Sequence, residues 1–209
     1  MQYKMNGEAS LAERKLDRIL QIRTVGLREW GSKAAAYNRY EATPYSALDK
    51  LSQVYKFNQN DRLVDFGCGR GRVTFYIHNK YKIPVTGVEA HDKTFEEALK
   101  NKQTYRKKRQ HIKAPIKLEY ALAELYEVDE EDNIFYFFNP FSIKIFKRVV
   151  MNILKSVKQS ERTVELILYY PLPEFKQFLR ESTPFEIINK IKVSGDHGKY
   201  GKFVIYRAF

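Results

Sequence analysis

The chain has 209 residues, with 37 Lys and Arg against 25 Asp and Glu, and a formal net charge of +12. This length suggests one domain with its own core, and a content of 44% hydrophobic and 14% aromatic residues excludes a disordered chain. The single cysteine, Cys68, excludes an internal disulfide framework and a multi-cysteine metal site, and we predict no metal site. The polar N-terminus has no apolar leader and the chain has no apolar run of about 18 residues, so we expect a cytoplasmic protein without a membrane span.

The N-terminal part of the chain is expected to be helical. Apolar residues at helical spacing predict an amphipathic helix over residues 11–22, followed by a less regular stretch. Thr43 then precedes a proline and is predicted as the N-cap of a helix that runs to about Tyr55. We assign residues 1–40 to a helical extension or lid, and residues 41–209 to the main domain.

From residue 62 onward, predicted strands alternate with predicted helices. The strands are predicted at residues 62–66, 84–89, 116–122, 133–138, 164–170, 185–193 and 202–209. The helices are predicted at residues 72–81, 92–111, 142–157 and 173–182. This alternation indicates an α/β fold: a doubly wound, mostly parallel seven-stranded sheet. The last two strands are separated by only a turn, which favours an antiparallel C-terminal pair.

The strongest local pattern is a buried strand that ends in an acid, Asp65, and three glycines at positions 67, 69 and 71, directly before a helix. Glycine permits a positive φ and a close approach of a ligand to the backbone. A dinucleotide-binding fingerprint needs glycine at position 72, where this chain has Arg72. A carboxylate at position 65 repels a phosphate and attracts an ammonium or sulfonium group. Glu89, at the end of the second strand, is placed to accept hydrogen bonds from a ribose diol.

With this motif and element order, residues 40–209 resemble the class I S-adenosylmethionine-dependent methyltransferases. The resemblance implies a Rossmann-like methyltransferase fold, an enzyme, S-adenosyl-L-methionine as cofactor and S-adenosyl-L-homocysteine as product. In such enzymes the glycine loop passes under the methionine part, the acid holds the ribose, and the loop after strand three brackets the adenine. The cofactor-binding residues implied are Asp65, Phe66, Gly67, Cys68, Gly69, Gly71, Glu89, Ala90, Leu122 and Ala123.

Two alternatives remain open for the acids. Asp65 is also placed to cap the following helix or to hold the glycine turn, and Glu89 to be a solvated strand end. Many members of the family have an Asp in the adenine loop, and Leu122 stands about there. A contact to the adenine amino group would then come from the backbone or from Glu124.

The segment after strand four, Asn139-Pro140-Phe141, stands where the family keeps its catalytic motif. It resembles the Asn/Asp-Pro-Pro-aromatic motif of methyltransferases that act on amino groups of adenine, cytosine or glutamine. It departs from the motif at Phe141, which replaces the second proline, and at Ser142, which replaces the aromatic residue. We take Asn139, Pro140 and Phe141 as candidate catalytic residues. The alternative is a strand end followed by a helix that Ser142 caps.

Aromatic residues cluster before the core and indicate a substrate or lid segment. Tyr40, Thr43 and Tyr45 are its candidate residues, together with Tyr37, which equally suits packing against the sheet edge. His78 is expected to be structural, while the isolated histidines at positions 91, 111 and 197 are expected at the surface.

The charge is densest in the middle of the chain, where residues 100–117 carry eight Lys and Arg. Such a run suits RNA or DNA phosphates, but we favour a solvated helix face for it. The sequence therefore predicts S-adenosylmethionine-dependent methyl transfer to an unidentified acceptor, with an amino group on RNA, DNA or protein as candidates. The alternative is a methyltransferase-like module that binds the cofactor or RNA without turnover. The identity of the acceptor and the oligomeric state do not follow from the sequence.

Overall fold

The computed structural model describes residues 7–26, 38, 40–193 and 201–209, with side chains from Leu11 onward. Three predictions concern residues outside these ranges: Tyr37, His197 and the irregular stretch around Trp30. Among the described residues no helix is long and apolar enough to cross a membrane.

Seven strands form one sheet in the order β3-β2-β1-β4-β5-β7-β6, as the alternating pattern predicts. The first five strands are parallel to one another, and β7 pairs antiparallel with both β5 and β6. The strands are β1 (Leu63–Phe66), β2 (Val85–Glu89), β3 (Ile116–Tyr120), β4 (Ile134–Phe138), β5 (Val164–Tyr169), β6 (Glu186–Lys192) and β7 (Lys202–Ala208). The predicted fold class is thereby confirmed.

Helices cover both faces of the sheet. They are α1 (Gly7–Leu20), α2 (Tyr45–Val54), α3 (Arg72–Tyr81), α4 (Asp92–Lys108), α5 (Ile143–Gln159) and α6 (Pro173–Ser182). Apolar side chains of α1, α2 and α3 pack on one face, and those of α5 and α6 pack on the other. Successive strand residues point to opposite faces, so Leu63 and Val64 of β1 enter different cores.

Several predicted helix boundaries differ from the structure: the first helix spans Gly7–Leu20 rather than residues 11–22, and two further differences have a local explanation. The N-cap of α2 is Pro44 rather than Thr43, because the Thr43 hydroxyl forms a buried hydrogen bond of 2.8 Å with the Tyr136 hydroxyl. The second crossover helix ends at Lys108 instead of continuing to residue 111. The guanidinium of Arg106 donates to the carbonyls of Ile112 and Ala114 and so stabilises the chain that turns toward β3.

The topology places a crevice at the carboxyl ends of β1 and β4. The strand order reverses here, since β2 and β3 extend from β1 in one direction and β4 and β5 in the other. In open α/β sheets ligands bind at such a switch point. The glycine loop after β1 and the loop after β4 both lie at this edge.

Candidate active site

The loop between β1 and α3 needs glycine at its successive turns. Gly67, Gly69 and Gly71 have φ of 71°, 57° and 86°, in the left-handed region that other residues avoid. A Cβ on Gly67 would lie 2.5 Å from Cβ of Pro140, and one on Gly69 would lie 2.1 Å from the ring of Tyr40. Glycine is thus required both by the turn and by the segments that pack against it.

Asp65 lies below this loop at the carboxyl end of β1 and is buried, with 3% of its surface exposed. Its Oδ2 atom accepts a hydrogen bond of 2.8 Å from the Thr74 hydroxyl, and its carboxyl also accepts one from the Thr74 backbone. Because Gly71, the N-cap of α3, has no side chain, Asp65 supplies the missing acceptor. Desolvation raises the pKa of Asp65 to about 7, with a smaller contribution from the charge of Glu89.

Glu89 ends β2 and is also buried, with 6% of its surface exposed, so the solvated-end alternative is wrong. Its Oε2 atom accepts from the backbone N–H of Gly69 at 2.9 Å, and its Oε1 atom from that of His91 at 2.8 Å. Burial raises the pKa of the Glu89 carboxyl, while these backbone N–H groups oppose the rise. The acid therefore fixes the glycine loop and remains at the pocket wall.

A pocket with about 760 Å³ of empty space, part of it open to solvent, joins these groups. Ten of the sixteen predicted residues line it: Tyr40, Thr43, Asp65, Gly67, Cys68, Glu89, Ala90, Ala123, Pro140 and Phe141. Cys68 is buried against Gly87, consistent with a packing role. Residues from five distant segments of the sequence are thereby brought to one cavity.

The remaining predicted residues do not line this pocket. Phe66 points into the opposite core, where its ring stacks on that of Phe137 at 5.3 Å. Leu122 is exposed, and Tyr45 packs beneath the guanidinium of Arg72. Gly69 and Gly71 lie under the rings of Tyr40 and Phe75. Contacts of these residues to a cofactor stay predictions, as does a role for Asn139, which stands in the chain between the pocket-lining residues Phe138 and Pro140.

Sequence reasoning missed several pocket residues. His91, expected at the surface, is half-buried and lines the pocket, and its Nδ1 atom accepts from the backbone N–H of Thr94 as the N-cap of α4. The sequence held no clear signal for this role, because histidine is not among the side chains that commonly cap helices. His78 is structural as expected, because its ring bonds Tyr105 and the carbonyl of Ala114.

A second missed residue is Arg72, the first residue of α3, which is 3% exposed and lines the pocket. Its guanidinium forms an ion pair with Glu13 of α1 and donates to Thr24 at 2.7 Å and to the carbonyl of Thr43 at 3.2 Å. Desolvation raises the pKa of Glu13. Asp17, the other buried acid of α1, accepts hydrogen bonds from the backbone N–H and hydroxyl of Thr24. Buried charges thus join α1 to the start of α3.

Asn38 and residues 40–43 line the pocket between the β4 loop and the glycine loop, and we call them the strap. At one end the backbone N–H of Asn38 donates to the carbonyl of Pro140 at 3.0 Å. In the middle the hydroxyl of Tyr40 donates to the carbonyl of Thr24 at 2.6 Å, and the Arg70 guanidinium lies 4.9 Å from the centre of the Tyr40 ring. Burial raises the pKa of the Tyr40 hydroxyl, so it remains a neutral donor.

The loop after β4 has an unusual backbone at Asn139, whose φ of 41° is uncommon for a residue other than glycine. Pro140 contacts the glycine loop, and Phe141 is buried against Phe137. Ser142 occupies the N-cap position of α5 but its side chain makes no capping hydrogen bond. Strained loop conformations are found at functional sites, and this one directly adjoins the glycine loop.

The basic run divides between structural and exposed residues. Arg106 supports the turn after α4, and Arg109 donates to Asn79 and to the carbonyl of Ile19. All six of its lysines have an exposed or half-exposed side chain: Lys100, Lys102, Lys107, Lys108, Lys113 and Lys117. Much of the run is therefore a solvated face, and part of it connects α4 to α1 and α3.

Comparison with known proteins agrees with this geometry. The chain is 32% identical over 63 residues to a protein-lysine N-methyltransferase of Saccharolobus islandicus (strain REY15A); the match covers 30% of this chain and 39% of that relative. No family model matches the chain.

Solved structures extend the likeness to the whole fold. An RNA methyltransferase from Salinibacter ruber in complex with S-adenosyl-L-homocysteine is similar with a TM-score of 0.53 and 11% identity, over 80% of this chain and 92% of that one. The [4+2]-cyclase SpnF is similar with a TM-score of 0.60 and 13% identity, over 95% of this chain and 96% of that one. At these identities the likeness concerns the fold, which is shared by proteins of more than one activity. The resemblance predicted from the sequence is confirmed at that level: the chain has the fold of the class I S-adenosylmethionine-dependent methyltransferases.

Proposed function

We propose that this protein binds S-adenosyl-L-methionine and transfers its methyl group to an amino group of an acceptor. The observation that carries the proposal is the pair of buried carboxylates, Asp65 and Glu89, which line one pocket beside a glycine turn. Within the described part of the chain neither acid forms an ion pair with a basic side chain. A pocket with two such acids favours a ligand that carries positive charge and hydroxyl groups.

The residues present fit the cofactor. Glu89 would accept from the ribose hydroxyls, Asp65 would face the positively charged methionine part, and Gly67 lines the same pocket. When bound, the cofactor supplies a methyl group that its sulfonium already activates. The protein then has to hold the acceptor at attack distance and orient its lone pair. A pyrophosphate would meet both carboxylates, which disfavours a dinucleotide.

The loop after β4 supports an amino acceptor. Pro140 packs against Gly67, so this loop and the cofactor motif form adjoining walls of the pocket. Backbone and side-chain oxygens of residues 139 and 140 are suited to accept hydrogen bonds from N–H groups. The relative named as a protein-lysine methyltransferase and the neighbour named as an RNA methyltransferase make lysine and nucleobase amines the two acceptor classes to test.

A second function, cofactor binding without turnover, is favoured by the departure of Phe141 and Ser142 from the amino-methyltransferase motif. One experiment separates the two. Release of S-adenosyl-L-homocysteine is measured with fractionated cell extract, with and without prior ribonuclease or protease treatment. Turnover that ribonuclease abolishes identifies RNA, and turnover that protease abolishes identifies protein. Binding of the cofactor with no product from any fraction would contradict methyl transfer and support the binding module.

A further inference from the structure

Asn38, on the strap, uses its side chain and its backbone to contact the loop after β4. Its Nδ2 atom lies 2.8 Å from the backbone carbonyl oxygen of Asn139 and 3.2 Å from the side-chain Oδ1 atom of the same residue. Its backbone N–H donates to the carbonyl of Pro140. One residue from outside the sheet thereby supplies three hydrogen bonds to the candidate acceptor loop.

These contacts determine which end of the Asn139 side chain faces which way. A backbone carbonyl can only accept, so the Asn38 group that faces it must be the NH₂. That NH₂ is also within hydrogen-bond distance of the Asn139 side chain, which must therefore present its oxygen. The Oδ1 atom keeps a second lone pair for an incoming donor.

The same count applies to the carbonyl of Pro140. Among the residues that the structure describes, the Asn38 backbone is its one hydrogen-bond donor, which leaves one lone pair. Within the described part of the chain, the loop thus keeps two oxygen acceptors, one on Asn139 and one on the pocket-lining Pro140. Two acceptors match a group that presents two N–H donors. Without the hydrogen bond from Asn38, the Asn139 carboxamide could rotate by half a turn and present its own NH₂ instead of its oxygen.

We propose that Asn38 is a positioning residue for methyl transfer: it fixes the Asn139 carboxamide with its oxygen toward an acceptor amine and supports the left-handed backbone at Asn139. This inference rests on the proposed function, because it assigns a role in the transfer step. Asn38 acts through Asn139 and Pro140 and does not itself need to contact the acceptor. The departure of residues 141 and 142 from the usual motif is then compensated by a hydrogen bond from the strap.

The test replaces the side-chain donor and leaves the backbone bond in place. Asn38→Ala removes the donor, and Asn38→Asp is isosteric but directs a carboxylate at two oxygens. Asn60→Asp, at an exposed turn, is the control with the same change of charge. The side-chain NH₂ signals of Asn139, assigned by their absence in Asn139→Ala, report its orientation by NMR in protein saturated with S-adenosyl-L-homocysteine.

We expect both Asn38 variants to shift or broaden the Asn139 side-chain signals, while Asn60→Asp leaves them unchanged. In the extract fraction that accepts methyl groups from S-adenosyl-L-methionine, kcat should fall about tenfold or more, the equivalent of one lost interaction in the transition state. The fall should be larger for Asn38→Asp. The affinity for S-adenosyl-L-homocysteine and the thermal midpoint should change little, which separates positioning from a structural role.

Unchanged Asn139 signals in Asn38→Ala would overturn the inference. A fall in kcat that is accompanied by an equal fall in the affinity for S-adenosyl-L-homocysteine or in thermal stability would overturn it as well. Failure of the proposed function looks different. In that case the wild-type protein gives no methyl transfer with any fraction, which also overturns a role of Asn38 in transfer, whatever the NMR signals show.

Discussion

The Oε2 atom of Glu89 accepts a hydrogen bond of 2.9 Å from the backbone N–H of Gly69. The end of β2 is thereby joined to the middle of the glycine loop. The same carboxylate accepts from His91 on its other oxygen, so it is already oriented when a ligand arrives. A preorganised acceptor loses little conformational freedom on binding.

Glu89→Gln should weaken binding of S-adenosyl-L-methionine and loosen the glycine loop. In the wild type both oxygens of the carboxylate accept from backbone N–H groups. In the variant the NH₂ of the glutamine amide would face one of these N–H groups, so that two donors would oppose each other. Loss of a hydrogen bond to a charged group costs about 1.5–3 kcal/mol, so we expect a fall in affinity of about tenfold to a hundredfold. Calorimetric titration measures it, with the exposed Glu186→Gln as control. Equal affinities of the two variants would contradict the role of Glu89.

Asp65 predicts a pH-dependent affinity for a cationic ligand. Its carboxyl has a pKa of about 7 in the free protein, so it is largely neutral at lower pH and ionised above. Affinity for S-adenosyl-L-methionine should therefore rise between about pH 5.5 and 7, where the ligand's amino group stays protonated, and level off above. In Asp65→Asn the affinity should be weaker and lack this rise. A rise of equal size in the variant would assign the titration to another group.

The raised pKa of Asp65 also predicts how the stability of the ligand-free protein depends on pH. Its pKa is raised on folding, so its contribution is most favourable below the unfolded pKa of about 4 and is lost as pH rises through about 7. Urea denaturation measures the free energy of unfolding of the wild type and of Asp65→Asn across this range. The wild-type value minus the variant value should fall as pH rises. A difference that grows with pH would contradict the raised pKa.

Gly69→Ala should be destabilising for two separable reasons. The φ of 57° costs a residue with a Cβ about 1–2 kcal/mol, and the methyl group would overlap the Tyr40 ring at 2.1 Å. In a Tyr40→Ala background only the first cost should remain, so the substitution should lower the free energy of unfolding by less. A double-mutant cycle by urea denaturation measures the difference. Identical costs in both backgrounds would show that the ring does not rest on Gly69.

Replacement of Arg72 should strongly lower the free energy of unfolding, and a second substitution should restore part of the loss. Arg72→Met leaves Glu13 buried without its ion-pair partner, a change that costs about 3–5 kcal/mol in other buried pairs. Adding Glu13→Gln removes the unpaired charge, and the double variant should be more stable than Arg72→Met alone. Urea denaturation of the three variants and the wild type checks this. A double variant less stable than Arg72→Met would contradict the pairing.

The glycine motif and the element order were predictable because their signals are local. Three glycines at fixed spacing and a following apolar helix predict α3 from Arg72 to Tyr81, as observed. Pro173 at the start of a periodic segment likewise predicts α6. Backbone requirements of this kind can be identified from a few adjacent residues.

The long-range contacts that the strap and α1 make around the pocket were not predictable in the same way. Arg72 attracts notice in the sequence only because it is not glycine, while its partners Glu13 and Thr24 lie 59 and 48 residues away. Asn38 meets Asn139 across 101 residues of sequence. Such contacts depend on tertiary packing, and no local pattern of residue types indicates them.

The claim on which the other proposals depend is that the pocket binds S-adenosyl-L-methionine, and isothermal titration calorimetry of the purified protein tests it most directly. We predict saturable heat with S-adenosyl-L-methionine and with S-adenosyl-L-homocysteine, no measurable binding of NAD, and loss of both signals in Glu89→Ala while the variant still unfolds cooperatively. Absence of heat with both methionine derivatives, or tighter binding of NAD, would contradict the account.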